Sequence, residues 1–138
     1  MVSIVVEALV GAPAAQVWAA VADVGAVHER LLPGRVVDAR LEGDVRVLTL
    51  PGGVEVRELI VAVDHEHRRL AYSVQGGQRM ELAHHHASFQ VFDDAGGARL
   101  VWTTDVLPHE RGQAVRARVE RGIVEMKAVL EAGAQLPS

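Results

Sequence analysis

The chain contains no cysteine, which excludes a disulfide framework, thiolate catalysis and a zinc–thiolate site. Aromatic residues make up only 4% of it, so a pocket built to stack multi-ring aromatics has little to draw on. No apolar run approaches the ~20 residues of a membrane span. A basic stripe is missing too. Fourteen Lys and Arg stand against 18 Asp and Glu, for a formal net charge of −4, which argues against nucleic acid or an anionic membrane as a partner. The opening MVSIVVEALVGAP lacks a basic n-region and suits a strand, so no signal peptide is expected. With the missing thiols, this fits a cytoplasmic protein. The paired glycines Gly52-Gly53, Gly76-Gly77 and Gly96-Gly97 fall at turns, without a phosphate-binding or dinucleotide fingerprint around them. A G-x-S-x-G elbow is absent as well, and no cofactor is expected.

What is present is an ordinary globular balance, 49% hydrophobic and 23% charged over 138 residues, enough for one domain with its own core. The longest periodic stretch runs over 109–133. Val115, Val119, Ile123, Met126, Val129 and Leu130 recur at helical spacing. Arg116, Glu120, Arg121, Glu125, Lys127 and Glu131 occupy the other side. Pro108 suits the entry, and Gly133 and Pro137 supply stop signals. Such a stripe must lie on a large apolar surface.

Ahead of it, 2–10 reads as a β-branched strand. Pro13 sits at the first position of a short helix over 13–22, and a second short helix spans 24–31. Six strands follow, at 35–42, 45–50, 54–64, 68–75, 80–92 and 99–107, with turn residues between them. Short turns between consecutive strands imply an antiparallel meander. The expected class is α+β, a seven-stranded antiparallel sheet with its helices on one face.

Several segments together carry a family resemblance. They are the opening strand with Ala12-Pro13-Ala14-Ala15-Gln16-Val17-Trp18, then Glu55-Val56-Arg57-Glu58-Leu59 and Arg69-Leu70-Ala71-Tyr72-Ser73-Val74. Ala87-Ser88-Phe89-Gln90-Val91 and Leu100-Val101-Trp102-Thr103-Thr104 complete the set. Over about 2–132 the chain resembles the SRPBCC superfamily, START-like or Bet v 1-like, and within it the bacterial polyketide cyclase/dehydrase-like branch. The resemblance implies a helix-grip fold, a curved sheet wrapped around the C-terminal helix with a hydrophobic cavity between them. It also implies members that bind lipids, hormones or polyketides, a few of them catalysing cyclisation or dehydration. Fold alone does not assign function.

Strand alternation predicts which side chains face the cavity. In 80–92 the more apolar set is Ala83, His85, Ala87, Phe89 and Val91, which turns His85 inward and His84 and His86 outward. In 68–75, Leu70, Tyr72 and Val74 point in. In 54–64, Leu59, Val61 and Val63 form the apolar set, which carries Arg57 inward and Glu58 outward. For 99–107 the set with Val101 and Thr103 competes with the set of Leu100, Trp102 and Thr104. Loop parity decides whether Asp105 lies beside His85 or opposite His86.

Three consecutive histidines on a strand cannot share one ion, because the middle one points away, so no metal site is expected. His85 could act as a base or hydrogen-bonding anchor, Tyr72 as a donor to a carbonyl, and Arg57 as a partner for a carboxylate or enolate. Arg118, at the edge of the helix stripe, could reach over the cavity mouth to an acidic head, or simply lay its stem on the sheet. Phe89, Leu59, Val101, Thr103, Val119 and Met126 complete the expected lining. The favoured reading is an internal pocket for a small hydrophobic or amphipathic ligand, lipid- or polyketide-like, in a monomer or homodimer. The alternative is a cyclase or dehydratase using His85, Tyr72 and Arg57 on a carbonyl substrate.

Overall fold

Strand alternation holds in the first strand: Ile4, Val6 and Val10 are buried, and Ser3, Val5, Glu7 and Leu9 turn towards solvent. A computed structural model describes residues 2–76 and 82–135. Strand β1 (Val2–Val10) leads into helices α1 (Ala14–Ala22) and α2 (Val27–Arg30). Strands β2 (Asp38–Glu42), β3 (Val45–Thr49), β4 (Glu55–Asp64), β5 (Arg69–Gly76), β6 (His84–Asp94) and β7 (Gly97–Leu107) follow. A cis Leu107–Pro108 peptide and a 3-10 turn at His109–Arg111 enter the long helix α3 (Gly112–Ala134). The expected strand start at residue 80, the Gly77 half of one turn and the Pro137 stop signal lie outside the described residues.

The seven strands form one antiparallel sheet in the order β1-β7-β6-β5-β4-β3-β2. The meander from β2 to β7 therefore closes onto β1, as short turns between neighbours require. The sheet is curved, and α3 lies against β1 and β7 on its inner side, beside α1. The α3 stripe buries Val115, Val119, Ile123, Met126 and Leu130, as the periodicity predicts, and leaves Val129 half-buried. Two glycines join it. A Cβ on Gly112 would stand 3.0 Å from Val2, and one on Gly122 would stand 3.0 Å from the Trp102 ring. Absence of side chains at these two points lets the helix approach the sheet closely.

Turn chemistry settles which face of β7 looks inward. Asp94 pairs with Gly97, so the β6–β7 loop is Ala95-Gly96, with Gly96 at φ +83°. This two-residue loop sets Asp105 opposite His86 and Thr104 opposite Ala87. Residues directly opposite each other share a face. Leu100, Thr104 and Val106 are accordingly buried, and the set of Val101 and Thr103 faces out, against Glu7 and Val5 of β1.

Strand β4 departs from its expected facing. Glu58 lies opposite Val74 and Ile60 opposite Tyr72, so Val56, Glu58 and Ile60 look inward, and Arg57 and Leu59 look outward. Val61 has no partner and forms a bulge between Ile60 and Ala62. It is 54% exposed. The bulge reverses the alternation, so that Val63 then lies opposite the inward Leu70. Counting apolar residues along β4 fails for two physical reasons. The extra residue splits the strand into two registers, and the charge of Glu58 is neutralised from the neighbouring strand.

Candidate functional site

That neutralising partner is Arg46. It lies opposite Glu58 across β3 and β4, and its Nε–H donates to Glu58 Oε1 at 2.7 Å. Arg46 is 3% exposed and Glu58 7%. Arg46 belongs to the inward set with Leu48 because β3 alternates. Val47 faces the other way, yet it is buried between Arg40 and Arg57 of the flanking strands and their surface ion pairs. The Arg46 guanidinium also stands over the Tyr72 ring, 5.0 Å from its centroid. Its Nη1 makes no hydrogen bond.

Tyr72, on β5, connects this pair to an aromatic row. The Trp102 indole N–H donates to the Tyr72 hydroxyl at 3.2 Å. Phe89 stacks between the two, with ring centroids 4.6 Å from Trp102 and 6.2 Å from Tyr72. Burial, and then the Glu58 carboxylate, push the Tyr72 phenol well above its ordinary pKa, so it stays protonated. Along the same register row, Ile4, Thr104, Ala87, Tyr72 and Ile60 lie side by side. Thr104 is fully buried, yet its hydroxyl has no partner.

His85 shares the inward face of β6, opposite Val106. Burial, then the nearby Arg118 and the flanking His84 and His86, lower its imidazole pKa to about 4. It is therefore neutral at pH 7. Arg118 comes from α3, half-buried at the edge of the stripe, and burial lowers its pKa from the ordinary guanidinium value. Its charge acts on both Tyr72 and Glu58. Two turns further along α3, Glu125 accepts two hydrogen bonds from Arg35, which ties the segment after α2 to the helix.

Of the residues expected to line the interior, His85, Tyr72, Phe89, Val119, Met126 and Arg118 are brought to the inner side. Arg57, Leu59, Val101 and Thr103 are not. Arg57 donates to Glu42 on the outer surface, and Leu59 lies opposite Ser73 on that same face. The interior guanidinium on the sheet is Arg46 instead. Arg46, Glu58, Trp102 and Thr104 are the polar or aromatic residues that single-strand alternation misses or leaves undecided. The signal for Arg46 is its place two positions from Leu48 and four from Leu50. His86 is outside, opposite Asp105, whose carboxylate accepts the Ser3 hydroxyl hydrogen bond. Among the described residues, no three His, Asp or Glu side chains converge to hold a metal ion.

A curved seven-stranded sheet gripping a C-terminal helix, with two short helices after the first strand, defines a helix-grip protein of the START/Bet v 1-like class. The sequence profile described as "Polyketide cyclase / dehydrase and lipid transport" matches residues 1–132, and the chain belongs to that family. Solved structures agree on the fold. The protein XoxI from Bacillus cereus superposes with a TM-score of 0.81 at 17% identity, over 97% of this chain and 96% of that one. A START superfamily protein from Mycobacterium smegmatis gives 0.75 at 13% identity, over 96% and 97%. Norcoclaurine synthase from Thalictrum flavum, in complex with dopamine and hydroxybenzaldehyde, gives 0.68 at 21% identity, over 95% and 86%. Among curated proteins nothing matches.

Proposed function

We propose that this chain binds a small hydrophobic or amphipathic molecule, lipid- or polyketide-like, in the interior between β3–β7 and α3. One observation carries the reading. A connected polar group, the buried Arg46, Glu58 and Tyr72 with the half-buried Trp102, lies on an inner wall that is otherwise mostly apolar. Burying charges costs free energy that aliphatic residues at the same positions would not cost. A few polar anchors among apolar walls are what a ligand pocket needs for orientation. Helix α3 packs on the β1–β7 side, which leaves the β3–β5 wing to be closed by side chains such as Arg118 or by a ligand. Norcoclaurine synthase, which shares the fold, is seen in complex with two small molecules, dopamine and hydroxybenzaldehyde.

Native mass spectrometry of protein purified from its own host tests this. The expected result is an added mass of a few hundred daltons that is lost on denaturation. A spectrum of bare chain, unchanged after incubation with extracted lipids, would count against it.

A second reading, a cyclase or dehydratase acting on a carbonyl compound, is favoured by one pairing. His85, neutral at pH 7, and the protonated Tyr72 share the inner face as acceptor and donor. Arg118 takes the place that the outward Arg57 cannot fill. In this reading His85→Gln abolishes turnover of a cyclisable poly-β-ketone and leaves its binding intact. Turnover surviving in that variant removes the enzyme.

A further inference from the structure

Strand β2 ends the sheet, and among the described residues no strand lies on its far side. Its hairpin with β3 closes on Glu42 and Val45 around the two-residue turn Gly43-Asp44, with Gly43 at φ +62°. Residues flanking such a turn exchange both backbone hydrogen bonds, and the pattern then alternates along the strand. Asp38, Arg40 and Glu42 therefore bond to β3. The N–H and C=O groups of Ala39 and Leu41 point away from the sheet, where neither has a backbone partner among the described residues. Natural edges are often blunted by proline, by lysine or by a charge on the buried face. Over 37–42 this edge has none of the three. Asp38, Arg40 and Glu42 share the outer face with Val47, and Ala39 and Leu41 take the inner one. Leu41 passes Gly25 on that side, yet it is 52% exposed, as is Val37.

The order of charges along the edge says what fits it. A second copy of β2, laid antiparallel, must match outward-bonding residues with each other, which leaves few registers. Centred on Arg40, the pairing opposes Arg40 to Arg40 and Asp38 to Glu42, and like charges directly opposite repel. Centred on Leu41, it joins Arg40 to Glu42 but opposes Asp38 to Asp44 and runs into the turn. Centred on Ala39, it sets Asp38 of each copy against Arg40 of the other and brings Leu41 alongside Val37. The Asp38 carboxylate has no ion pair or hydrogen bond among the described residues. Arg40 already gathers Glu42 and Glu55 at 3.1 and 2.9 Å on the outer surface, which holds its guanidinium on the face where Asp38 lies. We propose that β2 is the docking edge for a second copy of this chain, paired antiparallel about Ala39 so that the two sheets become continuous. The proposal stands on the edge alone and does not depend on what the interior binds.

A charge-swap series read by sedimentation velocity tests both the surface and the register. Residues 37–41 supply far fewer contacts than the roughly 20–30 residues a side of a standard interface, so the dimer is weak and the protein is examined from about 10 µM to 1 mM. Wild type is expected to move from one chain towards two over that range. Asp38→Arg gives each copy two positive charges that meet like charges, and Arg40→Asp gives two negative ones. Each variant alone should dimerise at least about tenfold more weakly. Their equimolar mixture should regain the dimer, because each charge then faces its opposite. Asp38 is exposed and unpaired, so Asp38→Arg should keep the wild-type circular dichroism spectrum. If Arg40→Asp does not fold, wild type against Asp38→Arg decides alone. Wild type that stays a single chain at the highest concentration would overturn the proposal. Dimerisation undiminished in Asp38→Arg would place the contact on another surface, and a mixture of folded variants that remains monomeric would overturn the register about Ala39.

Discussion

Arg46 and Glu58 face each other from adjacent strands at 2.7 Å, both buried, with the Arg46 guanidinium over the ring of Tyr72. Deleting one charge strands the other. Glu58→Leu or Arg46→Met alone is expected to destabilise the fold by about 3–5 kcal/mol. The double variant should recover most of that loss, because an apolar pair of similar volume needs no compensation. Urea unfolding of all four proteins closes the cycle. Additive single losses would mean that the pair is not coupled.

Gly122 and Gly133 give opposite outcomes for the same change. Both are helical, and alanine there normally gains up to about 1 kcal/mol. At Gly133 a Cβ meets nothing within 4 Å, so Gly133→Ala should raise the urea midpoint. At Gly122 the Cβ meets the Trp102 ring, which is held by Phe89 and by the Tyr72 hydrogen bond. Gly122→Ala should therefore lower the midpoint, by about 1 kcal/mol or more. A gain at both positions would show that α3 does not sit on Trp102.

Acid should weaken the fold through His85. Its folded pKa of about 4 lies below the ordinary 6.5. Between those values the unfolded chain takes up a proton that the folded chain does not. The stabilisation is complete above pH 6.5, declines as pH falls towards 4, and changes no further below that. The loss is on the order of 2–3 kcal/mol. His85→Gln has no such proton to take up, so wild type should lose more stability than the variant between pH 7 and pH 4. Parallel stability profiles would contradict the burial of His85.

Tyr72→Phe removes the acceptor of the Trp102 N–H. The expected cost is about 1–2 kcal/mol, with a change in tryptophan emission as the indole loses its partner. Emission and stability both unchanged would place Trp102 elsewhere.

Much of this architecture is legible in the chain itself. The stripe from Val115 to Leu130 and the β-branched runs dictate one long helix and seven strands, because burial follows the two backbone periods. The inward turn of Tyr72, His85 and Phe89 follows from the same rule. Where it fails, the cause is a contact between strands. Glu58 reads as exposed until Arg46 is seen across the ladder, and Val61 hides a bulge that no composition count detects. Val101 and Thr103 compete evenly with Leu100, Trp102 and Thr104 until the two-residue loop at Ala95-Gly96 decides the parity.

Alternate residues of the same strands make the decisive test internal to the molecule. With N-phenyl-1-naphthylamine bound to isotope-labelled protein, intermolecular nuclear Overhauser contacts report which side chains touch the probe. Contacts are expected to Tyr72, Phe89, Trp102 and Met126, and none to Leu59, Val101 or Thr103. Contacts confined to the outward set, or to the exposed face of α3, would contradict an internal binding site.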